Sequence, residues 1–228
     1  MKKLVPVSLV LIVVLLGVSS YLALAVAPTE RTMGDVQRIF YYHVPSGWVA
    51  GFCFFLNFLA SVVYLWKRSG ASDAMAAASA EVGVVFCSVL LITGPLWARP
   101  VWGIWWTWDA RLTTTLVLWL IYVSYLVLRR FSVGGQTQVL AAAFAVFGFA
   151  DVPIVYMSIR WFRTQHPSPV IGGGEGSGMA PGIAHVFFTN LALFTVMGIL
   201  YLVLRYKLQM VEQALESAHA QSALKGVA

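Results

Sequence analysis

Between Trp97 and Arg111 the chain reads WARPVWGIWWTWDAR, and five of its nine tryptophans fall in that stretch. Large planar side chains stack on large planar ligands, and their indole N–H groups donate hydrogen bonds. Tryptophan is also expected in belts at both faces of a membrane. A belt, however, spreads its tryptophans over many helix ends. Here they are concentrated, with Gly103 and Asp109 between them, and the stretch reads as a binding platform made by Trp97, Trp102, Trp105, Trp106, Trp108 and Asp109.

Arg99 and Arg111 flank the platform, and Arg163 lies in a later polar segment. Guanidinium forks pair bidentately with carboxylates and are more weakly hydrated than ammonium groups. Such arginines also anchor helix ends. A flat, apolar ligand bearing carboxylates is the natural complement, and haem with its propionates fits. Haem iron takes one or two axial ligands, most often neutral imidazole. Of four histidines, His219 lies in the C-terminal tail, leaving His43, His166 and His185. Position alone ranks His185 above His166, because it is tied to a helix. Zinc would need a His/Cys cluster, and no H-x-x-x-H supports it. No C-x-x-C-H is present, so the chain is not itself a c-type cytochrome. No P-loop motif is present. Cys53 and Cys87 are far apart inside apolar runs and read as small buried hydrophobes. The glycine-rich segment from Gly172 to Gly178 follows no strand and carries no lysine, so it reads as a loop.

The elements that must position these residues are membrane spans. The 228-residue chain is 60% hydrophobic and 11% charged, with a mean hydropathy of +0.80. A soluble domain averages roughly 25% charged residues, so this chain needs lipid as its solvent. The formal charge of +6 then reads as topology, and no nucleic acid is expected. Six runs reach the ~20 residues that a bilayer core requires: 4–27, 46–66, 74–96, 112–131, 136–159 and 182–206. The third is diluted at its start by alanines and Glu81. Backbone groups in lipid must be satisfied internally, so the runs are helices. The first run resembles a signal peptide in its Lys2-Lys3 start and A-x-A sites, but its length favours a retained helix.

Every lysine before the tail falls on one set of helix ends, and arginines alone occupy the other. The positive-inside rule then sets both termini in the cytoplasm and the loops 28–45, 97–111 and 160–181 outward. The expected fold is an all-α integral membrane protein of six transmembrane helices with a tryptophan-rich outward (periplasmic) loop. It forms one domain over 1–228, whose cytoplasmic tail from 208 to 228 is a short amphipathic or frayed helix. Glu81 and Asp151 lie within spans, where an ionisable group marks a functional hypothesis; they would pair with each other or line a ligand path.

At this point the residues resemble a known family. The segment Trp102-Gly103-Ile104-Trp105-Trp106-Thr107-Trp108-Asp109-Ala110-Arg111-Leu112-Thr113 is similar to the tryptophan-rich signature of haem-handling membrane proteins. Tyr42-His43-Val44-Pro45, Gly94-Pro95-Leu96-Trp97, Val152-Pro153-Ile154-Val155 and Trp161-Phe162-Arg163-Thr164-Gln165-His166 extend the likeness to cytochrome c maturation protein C, also called haem exporter protein C. Phe162 departs from it, standing where a second tryptophan is usual. The resemblance implies that His43 and His166 are axial ligands of haem b, and it moves His185 to second choice. It implies presentation of haem to a membrane-anchored haem chaperone, protein E of the maturation system. The companions it implies are the ABC transporter proteins A and B and a small membrane protein, D, of the same system. It also implies the bacterial inner membrane. No bond-making residue is visible, so the chain reads as a non-enzymatic component, with ATPase activity in a partner. Two rivals stand beside this reading: a relative of the cytochrome c haem lyase or synthase, and a small-molecule transporter. The latter predicts repeat halves and paired broken helices, which the sequence does not display.

Overall fold

The computed structural model describes residues 4–131, 136–166 and 178–226. Helix α1 (Leu4–Tyr21) continues into a π-turn (Leu22–Val26), and a 3₁₀ turn (Asp35–Ile39) leads into α2 (Phe40–Lys67). Then come α3 (Gly70–Trp102), α4 (Ala110–Phe131), α5 (Thr137–Gly148), α6 (Asp151–Trp161) and α7 (Pro181–Gly226). Six stretches are long and apolar enough to cross a membrane, with α5 and α6 together forming the fifth. The six spans return the chain to its starting side. One end of the bundle therefore carries the start of α1 and the far end of α7, and the opposite end carries the tryptophans.

Small residues let the helices close. In α3, Ala74, Ala76, Ala77, Ala78 and Ala80 are all buried. The alanines that dilute hydropathy are the contact surface itself, because apolar bulk gives no advantage against lipid while close approach gains packing. A Cβ on Gly83 would stand 2.5 Å from Phe54 Cε1, and Phe54 stacks on Tyr122 with centroids 3.8 Å apart. Asn57 Nδ2 donates to the Ala76 carbonyl at 2.7 Å, tying α2 to α3. Ser19 donates to Asn190, tying α1 to α7. The first helix is thus a packed member of the bundle.

The element boundaries correct the expected loops. Helix α2 starts at Phe40, so His43 lies in its first turn and not in a loop. Helix α3 runs through Pro95 and Pro100 to Trp102 and stops where Gly103 turns left-handed, φ +79°. Trp97 and Trp102 are therefore helical, and the expected loop 97–111 shrinks to residues 103–109. Prolines are tolerated there because the freed carbonyls lie near the bundle's end. Of the expected loop 160–181, Arg160 and Trp161 belong to α6, and the stretch from 167 to 177, with its glycine-rich segment, is outside the described residues. The tail is helical through Gly226, as the continuation of α7, one helix of 46 residues.

The intramembrane acids do not pair with each other. Glu81 pairs with Arg205 and accepts from Gln209 Nε2 at 3.0 Å. Asp73 holds Arg129 in two bonds of 2.5 and 2.8 Å and accepts from Gln213 Nε2 at 2.9 Å. Arg205, Gln209 and Gln213 are one turn apart, so a stripe of α7 grips two acids of α3. Asp151 stands at the start of α6, half-buried, with Oδ2 enclosed and unpartnered among the described residues.

Candidate functional site

The tryptophan end draws its residues from α2, α3, α4 and the segment after α6. His43 projects from the first turn of α2 onto α3. Its Nδ1 lies 2.9 Å from Thr93 Oγ1. Its ring meets Trp97 edge-on, with centroids 5.8 Å apart and planes at 82°. Gly94 lies alongside the ring: a Cβ there would stand 3.4 Å from His43 Cε1, an ordinary contact. Trp97 is held from behind by Phe40, itself stacked on Phe187 of α7 at 4.8 Å. His43 is within electrostatic reach of His166 and of the Arg111 guanidinium. His166 follows α6, in a turn where its backbone N–H donates to Thr164 Oγ1 at 3.0 Å.

The loop tryptophans divide in two. Trp105 and Trp108 are 57% and 76% exposed. Trp106 is half-buried against Trp108, T-shaped at 5.8 Å, and its Nε1 is enclosed with no acceptor among the described residues. Trp106 and Trp108, with Leu91, Pro95 and Leu116, line an open apolar cleft of about 360 Å³. An apolar cleft walled by indoles, with a donor left unpaired, suits a planar ligand. His43 meets α3 on a different face from this cleft, at Thr93 and Trp97 rather than Leu91 and Pro95, and its imidazole is the donor chemistry that iron requires.

The polar residues of the platform have structural partners. Asp109 caps α4: its Oδ1 accepts from the Leu112 N–H at 2.9 Å, and its Oδ2 from Thr107 Oγ1 at 3.3 Å. That is ordinary N-cap chemistry. Arg99 donates to the Gly103 carbonyl and closes the end of α3. Arg111 donates to the Val155 carbonyl at 2.5 Å and clamps α4 to α6. Arg163 is exposed beyond α6. Of the three, Arg111 is the one within reach of His43. His185 lies on the first turns of α7, exposed, while its neighbours Val186 and Phe187 pack inward against Phe40 and Tyr41.

Sequence reasoning missed Thr93, Leu91 and Leu116, which line or brace the site from within spans. Only Thr93 carried a signal, a hydroxyl just before Gly94-Pro95 in an otherwise apolar run.

Fold and cluster together define a class: a polytopic helical membrane protein that sets His43, His166 and its run of tryptophans at one end of the helix bundle. The family model described as heme exporter protein C matches residues 1–221. The chain is 33% identical over 219 residues to a protein of Haemophilus influenzae with that name, covering 92% of this chain and 86% of that one. It is 35% identical over 167 residues to the Bradyrhizobium diazoefficiens protein so named, covering 72% of this chain and 63% of that one. It is 31% identical over 189 residues to a putative cytochrome c biosynthesis ccmC-like mitochondrial protein of Marchantia polymorpha, covering 82% and 80%. The chain belongs to the heme exporter protein C family.

Proposed function

We propose that this chain receives haem b at the outer face of the bacterial inner membrane, holds it between His43 and His166 against the tryptophan platform, and passes it to the membrane-anchored haem chaperone, protein E. Family membership supports the coarse part, a role in haem handling during cytochrome c maturation. The observation that carries the finer part is that His166 and Arg111 each lie within electrostatic reach of His43, whose ring meets Trp97. The three come from α2, from beyond α6 and from α4, segments distant in sequence. Trp106 supplies an unpartnered donor at the cleft wall. The chain positions its cargo, and the ATP-driven step belongs to the transporter proteins A and B acting with the small membrane protein D. Both termini face the cytoplasm on this reading, which reporter fusions at each end check.

The interruption between α5 and α6 bears on the transporter reading. Transporter sites use discontinuous helices in corresponding positions of two halves. Here the fifth span is interrupted at Phe149–Ala150, and α2 and α3 run unbroken. One unpaired interruption does not make such a site.

The test is spectroscopic. Two imidazoles give a low-spin, six-coordinate haem. His43→Gly and His166→Gly, purified from haem-replete cells, should each lose that signature, and added imidazole should partly restore it. Wild-type protein with no Soret band, or both variants with unaltered spectra, would remove the haem-ligand reading.

A further inference from the structure

The proton inventory around His43 reaches past the ligand pair. A threonine hydroxyl has one proton to give and two lone pairs. In Thr93 the proton is used within α3: Oγ1 donates to the Val89 carbonyl at 2.7 Å, with the Leu90 carbonyl 3.3 Å away. Only lone pairs remain to face the histidine. The 2.9 Å contact between His43 Nδ1 and Thr93 Oγ1 therefore takes its hydrogen from the ring. A neutral imidazole protonated at Nδ1 carries its free lone pair on Nε2.

We propose that Thr93 is a positioning residue for haem ligation: its hydroxyl accepts from His43 Nδ1, fixes the tautomer that leaves Nε2 free for iron, and sets the angle of the ring. The inference rests on the reading of His43 as an axial ligand. Two features of α3 serve the same end. Thr93 holds the ring's near side. Trp97, one turn on from Thr93, meets the ring edge-on and limits its swing. The Leu90 carbonyl also bonds the ring, so without Thr93 one acceptor remains, the ring's angle and tautomer are less firmly set, and the bound population falls. Metal-ligating histidines commonly depend on such a partner, whose loss costs roughly 10–100-fold in affinity.

The experiment compares full-length wild type, Thr93→Val, Thr93→Ser, Thr93→Ala and His43→Gly, each purified in detergent from haem-replete cells. Thr93→Val keeps the shape and removes the acceptor, and should retain about tenfold less haem. Its remaining haem should show a smaller low-spin fraction and should bind added imidazole at lower concentration than wild type. Thr93→Ser should restore both readouts. Thr93→Ala should behave like Thr93→Val, which covers the case that the valine variant fails to fold. A readout free of haem is side-chain ¹⁵N NMR of histidine-labelled apo-protein: His43 should be protonated at Nδ1 in wild type and mixed between tautomers in Thr93→Val. If His43→Gly loses haem while Thr93→Val and Thr93→Ala keep wild-type spectra and ¹⁵N shifts, the positioning role is wrong and the ligand reading stands. If His43→Gly keeps the wild-type spectrum, the ligand reading falls and this inference falls with it.

Discussion

The two ends of this bundle handle polarity in opposite ways. At the end that carries the termini, the acids inside spans are gripped: Asp73 by Arg129 and Gln213, Glu81 by Arg205 and Gln209. At the tryptophan end, the Trp106 indole and the Thr113 hydroxyl are enclosed without partners among the described residues, and Trp105 and Trp108 stand open. Ion pairs bind the helices at the first end, although Asn57 Oδ1 and Ser61 Oγ toward that end are also enclosed without partners among the described residues. Open indoles at the second leave capacity for a molecule that is not part of the chain, beside the cap and clamps of Asp109, Arg99 and Arg111. The buried ion pairs and the open indoles thus lie at separate ends.

The largest test of that separation is Arg129→Ala. It leaves Asp73 buried without its charge partner, and breaking such a pair costs about 3–5 kcal/mol. Thermal unfolding in detergent should show a large loss, while haem bound per folded molecule stays at the wild-type level. A variant equally stable, or stable but haem-free, would break the comparison. Next come Trp106→Ala and Trp108→Ala. Each aromatic contact contributes about 0.5–1.5 kcal/mol beyond its area, so haem retention should fall about threefold to tenfold, with the unfolding temperature little changed. His185→Gly should be smaller still: an exposed ring away from the cluster leaves the spectrum as it was. If His185→Gly removes haem and His166→Gly does not, the ligand assignment is reversed.

The smallest effect concerns Glu30, outside the spans. Its carboxylate accepts from the N–H groups of Met33 at 2.5 Å and Thr32 at 2.8 Å, and the Met33 bond foremost holds it below the ordinary carboxylate value of 4.5. A depressed acid lends its turn stability above that value and loses it as pH falls through the lowered one. The protection of the Thr32 and Met33 amides, taken as exchange relative to the intrinsic rate at each pH, should therefore hold from neutrality downward and fall only well below the ordinary value of 4.5. In Glu30→Gln that protection should not change with pH over the same range.

The spans were legible in the sequence, since six apolar runs are hard to mistake when water is excluded. So were the identities of His43, His166 and the tryptophans as candidates. The places where helix gives way to loop were not. Trp97 and His43 read as loop residues because the apolar runs stop at 96 and start at 46, yet α3 and α2 extend past those limits, and membrane helices absorb prolines such as Pro45 and Pro100 where freed carbonyls find other company. The pairing of Glu81 with Arg205 was not legible, because the partners are 124 residues apart and meet only through the packing of α3 against α7. Asp109 reads as part of the platform beside its tryptophans. Its position three residues before Leu112 is also that of a helix cap, and the structure adds that bond. Thr93 hid among apolar neighbours, since nothing in a span's composition tells a hydroxyl that bonds its own helix from one that also braces another.

The junction between α5 and α6 has a consequence in rotation. Ala150 N–H bonds to the Phe147 carbonyl and Val152 N–H to the Phe149 carbonyl, both three residues back. A three-residue turn advances about 120° per residue where an α-helix advances about 100°. Each tightened step therefore turns the rest of the span about 20° out of phase. The half before the junction packs on α2 and α4, and the half after it packs on α4. The fifth span thus behaves like a twisted stave, seated against α2 along its first half and turned toward α4 along its second. The turned half is pinned there by Arg111 on the Val155 carbonyl, and it hands the chain on to His166 from that side.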